Sequence, residues 1–301
     1  MKGITTVNNK IYNMVTEKIL AQLDAGVVPW RMPWVATGGA ISHNTGRSYS
    51  LLNQYLLGKV GEYATYRQIE AEGGRVKKGA KAKPIVFWKV FPLFEEERVD
   101  DNGERTIVPR GRGVPYLKYY NVFHLDDTEG VAPKYEKELP TVANVDERAQ
   151  KIATDYLERE GIKLYEGEIR DDAFYRHDDT IYLPHLSQFQ STAEYYSTLF
   201  HEITHSTGAE KRLDRKLTTD RSIQRRAQEE LVAEMGAALL CAYAGIQTDD
   251  SLINSAAYIE HWRDHIAKDN TLVVVAAGRA QKAVEFILGI NNESEYKNES
   301  A

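Results

Sequence analysis

Two histidines four residues apart, with a glutamate beside the first, have the most specific chemical spacing in the sequence. They are His201, Glu202 and His205, in the segment TLFHEITHSTG. In an α-helix, residues i and i+4 lie on one face, so both imidazoles can meet on one metal ion. Glu202 then lies close enough to reach a water on that ion. The spacing therefore predicts two zinc ligands and a general base, the H-E-x-x-H arrangement of zinc peptidases.

A third ligand is available downstream, in the segment EELVAE. Glu230 and Glu234 lie at i and i+4, so we expect Glu230 to bind the ion and Glu234 to accept a hydrogen bond from a ligand histidine. Glu229 is a competing ligand, one residue and about 100° of helix away. We expect Zn²⁺, with Mn²⁺ or another divalent ion left open. The alternatives are a solvated helix face without metal, and a metal site that stabilises the fold without catalysing a reaction.

Hydrolysis also needs a hydrogen-bond donor near the oxygen that becomes negative in the transition state. Tyr258, His261 and His265 lie on one predicted helix at spacings of three and four. We take Tyr258 and His261 as candidate oxyanion stabilisers, although such a stripe more commonly packs in a core. The other histidines lack a partner at ligand spacing and are interpreted as turn or surface residues. They are His43, His124, His177 and His185.

The elements that carry these residues have recognisable starts and stops. We predict a helix that begins near Ser191, where Ser191 and Glu194 form a capping box, and ends at Gly208. A further helix over AQEELVAEMGAALLCAYAG is closed by Gly245. The segment AFYRHDDTIYLP is typical of a hairpin, and 179–183 is predicted to be an edge strand along which a peptide substrate lies.

The first half of the chain combines basic residues with aromatic ones. From Lys59 to Lys89 there are eight basic residues and three acidic ones. Basic groups that neutralise phosphates, interleaved with rings on which bases stack, favour single-stranded nucleic-acid binding. The alternative is that the rings are core residues and the lysines form a solvated loop. The candidate DNA-binding residues are Trp30, Arg31, Trp34, Arg47, Arg75, Lys77, Lys78, Lys81, Lys83 and Trp88.

Length and charge indicate two domains with different tasks. The chain has 301 residues and a net charge of −6, which is long for one domain. Residues 1–130 contain 18 basic and 14 acidic residues, whereas the remainder contains 20 and 30. The single cysteine, Cys241, excludes an internal disulfide framework and fits a reducing compartment. No export signal or membrane-spanning stretch is apparent, so we expect a cytoplasmic protein without membrane contact, and no obvious oligomer surface.

These patterns predict an α+β fold. The N-terminal domain is expected to be a mixed α/β module with strands near 84–91 and 116–125, joined by a long charged hairpin excursion. The C-terminal domain is expected to be mainly helical, with a small sheet beside the H-E-x-x-H helix. The predicted limits are 1–128 for the first domain, 129–144 for a linker, 145–290 for the second domain and 291–301 for a polar tail.

Several segments, in order, resemble ArdC-type antirestriction proteins. They are VTEKILAQLDAGVVPWRMPW, TYRQIEAEGGRVKKGAKAKPIVFW, YYNVFHLDDTEG, YYSTLFHEITHSTG and EELVAEMGAALL. The resemblance implies an N-terminal module that binds single-stranded DNA and a zincin-like metallopeptidase domain similar to the SprT/Spartan group. It also implies protection of incoming plasmid DNA from host restriction during conjugation. It carries His201 and His205 over as ligands, Glu202 as base, and Glu230 by its spacing.

Three functions are compatible with these residues. The first is a DNA-dependent zinc peptidase, and the second is an antirestriction protein that coats single-stranded DNA and has a structural metal. The third is an inhibitor that binds a restriction enzyme directly. The expected partners are single-stranded DNA and either a protein substrate or a restriction enzyme.

Overall fold

The computed structural model describes residues 2–31, 39–91, 94–99, 105–110, 114–135, 145–167, 172–217, 222–246 and 256–290. They form a two-domain α+β protein, which confirms the predicted fold class. None of the helices described there combines the length and the hydropathy that a membrane span needs.

The N-terminal part alternates short helices with strands. Its helices are α1 (Lys2–Asp24), α2 (Leu51–Leu57) and α3 (Tyr66–Ala71). Its strands are β1 (Ala40–Ser42), β2 (Gly61–Thr65), β3 (Arg75–Val76), β4 (Lys83–Phe91), β5 (Phe94–Val99), β6 (Arg105–Arg110), β7 (Val114–His124) and β8 (Thr128–Glu129). The strand order in the main sheet is β1-β2-β7-β4, parallel between β1 and β2 and antiparallel elsewhere. Strands β5 and β6 pair with each other, which confirms a hairpin between the two predicted strands.

The C-terminal part is mainly helical. Its helices are α4 (Val145–Glu160), α5 (Thr192–Ser206), α6 (Ile223–Ala244), α7 (Ala256–Lys268) and α8 (Leu272–Leu288). Its strands are β9 (Lys163–Gly167), β10 (Phe174–Arg176) and β11 (Thr180–Pro184). The predicted hairpin is present, but 179–183 is not an edge strand. Strand β11 lies in the middle, because β9 pairs parallel to one side of it and β10 antiparallel to the other. Strands β10 and β9 are therefore the two edges of this sheet.

One apolar core joins the two parts. Ile11, Val15 and Ile19 of α1 are buried in the same hydrophobic cluster as Phe200 of α5 and Leu240 of α6. Helix α1 packs against α7, and α2 packs against α8. Burial of this apolar surface stabilises the fold and fixes the N-terminal sheet relative to the helical part.

His43 and His124 are buried rather than surface residues, although His43 does lie in the turn that follows β1. His43 is only 1% exposed, and its ring lies between the carboxylates of Glu62 and Glu72. His124 is also buried, and its Nε2 lies 2.8 Å from the carbonyl oxygen of Val60. Local spacing cannot identify such partners, because they are separated by up to 64 residues along the chain.

Glu62 also binds the start of the predicted linker. Its carboxylate accepts hydrogen bonds from the backbone N–H groups of Lys134 and Tyr135. Burial alone would raise the pKa of Glu62, but the hydrogen bonds from His43 and these two N–H groups hold it below its usual range. Residues 129–135 are thus attached to the N-terminal sheet; residues 136–144 lie outside the described part of the chain.

Local capping fixes the helices that carry the predicted site. The Ser191 hydroxyl accepts from the backbone N–H of Glu194 at 3.2 Å, as expected for a helix N-cap. The Glu194 carboxylate accepts from the N–H of Gln190, whereas a capping box would use Ser191. Helix α5 ends at Ser206, two residues before the predicted end at Gly208. Helix α6 begins earlier than predicted, at Ile223.

Helices α5 and α6 approach closely at a glycine. A β-carbon added to Gly236 would lie 2.5 Å from Cγ2 of the buried Thr204, well inside van der Waals contact. The absence of a side chain at Gly236 therefore lets α6 pack directly on α5. This packing brings the acidic residues of α6 beside the histidines of α5.

We expect Asp179→Asn to lower the free energy of unfolding at pH 7 by about 2 kcal/mol. Burial would raise the pKa of Asp179, but hydrogen bonds from Arg212, Lys211 and Tyr175 lower it to about 2. The side chain is only 16% exposed, so water screens these interactions weakly. Asn tolerates the left-handed backbone at this position, where φ is 57°.

The folded-state pKa of Asp179 lies below the unfolded value, so the stabilisation is present above about pH 4 and is lost as pH falls toward 2. Urea unfolding at pH 7 and pH 2.5 measures this. The control is Asp178→Asn, since the side chain of Asp178 is 52% exposed and pairs with the exposed Arg176. An equal loss of stability for both variants at pH 7 would contradict the prediction.

Candidate metal centre

Three of the predicted metal-binding side chains converge on one point. Nε2 of His201 lies 3.1 Å from Nε2 of His205, and Oε2 of Glu230 lies 3.4 and 3.7 Å from these two atoms. In a tetrahedral site with bonds of about 2.0–2.1 Å, the ligand atoms are about 3.3–3.4 Å apart. The triangle of donors therefore has the size that a small divalent ion requires, and it forms the metal-binding group found in the described residues.

The electrostatic environment of this triangle favours a cation. Interactions with His201 and His205 lower the pKa of Glu230, so its carboxylate is ionised. Burial would lower the pKa of His205, but the neighbouring Glu229 and Glu230 raise it. The same negative field that holds a proton on His205 attracts a divalent ion in the proton's place.

Glu229 supports His205. Its Oε1 lies 3.2 Å from Nδ1 of His205, on the opposite side of the ring from the donor atom Nε2. This is the position in which a carboxylate fixes the tautomer and orientation of a ligand histidine. The sequence predicted this role for Glu234; the structure gives it to Glu229. The Glu234 carboxylate instead accepts a hydrogen bond from the Tyr258 hydroxyl at 3.1 Å.

Arg215 is a buried residue that sequence reasoning missed. Its guanidinium donates to both carboxylate oxygens of Glu229, at 2.6 and 2.8 Å. It also donates to the carbonyl oxygen of Thr204 and the hydroxyl of Thr207, at the end of α5. Gly208 permits this, since a β-carbon there would lie 2.9 Å from Nη2 of Arg215. Arg215 therefore holds Glu229 and the end of the histidine helix in fixed positions.

The donors open into a cavity of about 380 Å³. Glu202 lines it and is 6% exposed, on the same helix as both histidines. The edge strand β10 forms one wall through Phe174 and Tyr175, and His177 follows directly after that strand. A metal-binding group, a carboxylate and the edge of a sheet thus share one cavity.

The predicted oxyanion stabilisers lie elsewhere. Neither Tyr258 nor His261 is among the described residues that line the cavity, and the same holds for His265. The Tyr258 hydroxyl donates a hydrogen bond to the Glu234 carboxylate and accepts one from Nε1 of Trp30 at 3.1 Å. His261 is exposed, and its ring contacts those of Trp262 and His265 on the same helix. His177 is exposed, as predicted for a turn or surface histidine, and it also lines the cavity, which the sequence did not indicate.

Two of the candidate DNA-binding residues are fully or partly buried. Trp30 is 2% exposed and packs edge-on against Trp262, so it is a core residue that links the two parts of the chain. Lys83 is half-buried, and its ammonium donates to the carbonyl oxygen of Leu57. Desolvation lowers the pKa of Lys83. Trp34 and the side chain of Arg31 lie outside the described residues.

The remaining candidates lie on the surface of the N-terminal part. Arg47, Arg75, Lys77, Lys78 and Lys81 are exposed. Arg75 pairs with Glu129, and Lys77 donates to the carbonyl oxygen of Asp126.

Trp88 is 51% exposed on β4, and Tyr119 is 44% exposed on β7. The register pairs Trp88 with Leu117 and Val86 with Tyr119, which puts both exposed rings on one face of the sheet.

Comparison with known proteins covers both parts of the chain. Residues 9–123 match the family described as the N-terminal domain of anti-restriction factor ArdC, and residues 151–279 match the zincin-like metallopeptidase family. The metal-free crystal structure of the antirestriction protein ArdC from plasmid R388 is 33% identical in sequence. The match covers 92% of this chain and 96% of that one, with a TM-score of 0.65.

The chain belongs to the ArdC antirestriction family. The Mn(II)-bound structure of the R388 ArdC protein is 30% identical and covers 96% of this chain, with a TM-score of 0.66. Together with the donor triangle, this supports a divalent metal ion in the present family member.

A further relative of this ArdC family member is the DNA primase TraC of Escherichia coli. It is 33% identical over 307 residues, which include 95% of this chain. The chain spans only 28% of the length of that primase.

Proposed function

We propose that this member of the ArdC family protects DNA from restriction by binding single strands and hydrolysing a protein bound nearby. The observation that carries the proposal is the cavity that contains His201, His205 and Glu230 as metal donors, Glu202 as a base and the edge of β10. The R388 relative is an antirestriction protein, and the zincin-like match supports peptide hydrolysis.

The cavity residues have separate tasks in this proposal. A divalent ion, which we take to be Zn²⁺, polarises the scissile carbonyl and acidifies water when it is bound. Glu202 takes the proton of the attacking water and returns it to the leaving amine. Glu229 and Arg215 keep His205 in one orientation. The peptide extends the sheet by pairing with β10, so that backbone hydrogen bonds hold it across the cavity.

The proposed DNA-binding surface lies on the N-terminal sheet and its loops. Trp88 and Tyr119 offer two exposed rings on which bases can stack, and Lys77, Lys78 and Lys81 offer charges to the phosphates. Sequence preference is expected to be weak, because stacking and phosphate contacts accept every base.

Reversing the charges of Lys77, Lys78 and Lys81 to Glu should weaken binding of an oligothymidylate. Three lost phosphate contacts reduce the slope of log K against log salt by about 2. Fluorescence anisotropy over a salt series measures this. The control is Lys151→Glu, since Lys151 is exposed on α4. An unchanged slope in the triple variant would contradict the DNA-binding surface.

A second candidate function is a DNA-coating protein in which the metal is structural. It is favoured by the bridge from α5 to α6, since an ion held by His201, His205 and Glu230 would tie these helices together. Hydrolysis of casein by the metal-loaded protein, with and without oligothymidylate, separates the two. Metal-dependent cleavage supports the peptidase, and its absence under both conditions supports the structural metal.

A further inference from the structure

The metal cavity has a basic wall that peptide hydrolysis by itself does not require. Its described lining contains three acidic residues but five basic ones. The acidic residues are Glu202, Glu229 and Glu230, and the basic ones are Arg215, Lys216, Arg225, Arg226 and Arg279. With a divalent ion bound, the lining carries a net positive charge. Such a cavity attracts negatively charged ligands and repels basic ones.

Two of these arginines are held together by one neutral side chain. Gln228 is 9% exposed, and its Oε1 accepts hydrogen bonds from Nη1 of Arg225 at 3.1 Å and from Nη1 of Arg279 at 2.6 Å. The amide oxygen thus holds the two guanidinium groups at one point of the cavity wall. Burial and the neighbouring Arg225 and Arg215 lower the pKa of Arg279, although Glu229 opposes this.

Arg225 and Arg279 line the same cavity as the candidate metal donors. Gln228 and Arg225 lie in the first two turns of α6, immediately before Glu229 and the metal donor Glu230. Arg279 reaches the same point from α8. Arg215 is separate from the pair, and its guanidinium is hydrogen-bonded to both carboxylate oxygens of Glu229. The arginines that Gln228 holds, together with the positive end of α6, form a wall beside the metal donors.

We propose that Arg225 and Arg279, positioned by Gln228, bind a carboxylate of the peptide substrate. The proposal rests on the proposed peptidase function and specifies its substrate as a peptide with a carboxylate close to the scissile bond. Guanidinium groups match a carboxylate through paired N–H donors. The carboxylate belongs either to an Asp or Glu side chain or to the peptide's C-terminus. A peptide is favoured over a nucleic-acid strand because the edge strand β10 lines the same cavity.

Binding is measured with metal-loaded Glu202→Gln protein, in which hydrolysis does not interfere. The probes are fluorescein-labelled peptides that differ by single Asp-to-Asn exchanges, each with a free or an amidated C-terminus. The matching carboxylate peptide should bind at least about 10-fold more tightly than its amide counterpart. Discrimination at Asp identifies a side-chain subsite, and discrimination at the free terminus identifies a terminal one. Equal affinity for all the peptides would overturn the proposal.

Arg225→Gln and Arg279→Gln should each reduce this discrimination to about 3-fold or less, while affinity for the amide peptide stays within about 2-fold. Arg225 is exposed, so its replacement leaves the core intact. Arg148→Gln on α4 removes the same charge from an exposed position and should leave the discrimination unchanged. If the two cavity variants weaken the binding of the carboxylate peptide and of the amide peptide equally, the proposal is overturned. The proposal would also be overturned if oligothymidylate displaces the peptide from the protein and if Arg279→Gln weakens the binding of oligothymidylate.

The wild-type protein separates this inference from the proposed function. Discrimination by Glu202→Gln without any hydrolysis by the metal-loaded wild type would support the carboxylate subsite and reject the peptidase. Hydrolysis by the wild type without discrimination would support the peptidase and reject the subsite.

Discussion

Replacing Glu202 with Gln should reduce peptide hydrolysis by about 10²–10⁴-fold, the range for loss of a general base. Glu202 lies in the donor cavity, next in sequence to His201, but it is not one of the three converging donors. Gln keeps the size of the side chain and removes its ability to accept a proton. The metal content should therefore remain that of the wild type. Elemental analysis of the purified protein and the rate of casein cleavage measure the two effects.

The same variant decides whether hydrolysis serves antirestriction. Plasmid transfer into a restricting recipient is compared with transfer into a non-restricting one, for the wild type, Glu202→Gln and the exposed-surface control Glu147→Gln. If hydrolysis serves protection, Glu202→Gln should lose the protective effect and Glu147→Gln should keep it. Full protection by a metal-loaded, inactive Glu202→Gln protein would reject the peptidase mechanism and favour DNA coating or direct inhibition.

Sequence spacing predicted the convergence of His201 and His205 because their relation is local. His201 and His205 share a helix, so their geometry follows from helical periodicity alone. Which of Glu229 and Glu230 faces the two histidines depends on how α6 is rotated about its own axis relative to α5. That rotation depends on the close contact at Gly236. Periodicity on one helix carries no information about that rotation.

The supporting residues escaped prediction for a related reason. Arg215 lies 14 residues before Glu229 in an irregular segment, with no periodic pattern to connect them. Trp30 looks like a stacking residue in a basic, aromatic sequence, yet it is buried against Trp262, more than 200 residues away. Strand order was also not predictable from the hairpin pattern alone, since β11 is central only because β9, which lies outside the hairpin, pairs with it. A composition signal cannot separate a core ring from a binding ring, whereas burial does so directly.

Replacing a metal donor should have a much larger effect on metal affinity than replacing its support. Binding of a structural zinc ion is worth about 10–16 kcal/mol, so losing one protein ligand should reduce affinity by about 10³-fold. We expect this for His201→Ala and for Glu230→Gln, since both supply atoms of the donor triangle. Glu229→Gln should reduce affinity by only about 10–100-fold, because the carboxylate acts through the His205 ring.

Titration against a zinc-chelating dye measures these affinities, and circular dichroism in the absence of metal checks that each variant is folded. The matched control is Glu147→Gln, which removes a carboxylate from the exposed face of α4. A loss for Glu229→Gln as large as that for His201→Ala, with little effect of Glu230→Gln, would make Glu229 the ligand. Arg215 argues against that outcome, because its guanidinium already engages both oxygens of Glu229, whereas Oε2 of Glu230 faces both histidine donors. The order of the two glutamate variants therefore tests which carboxylate completes the site.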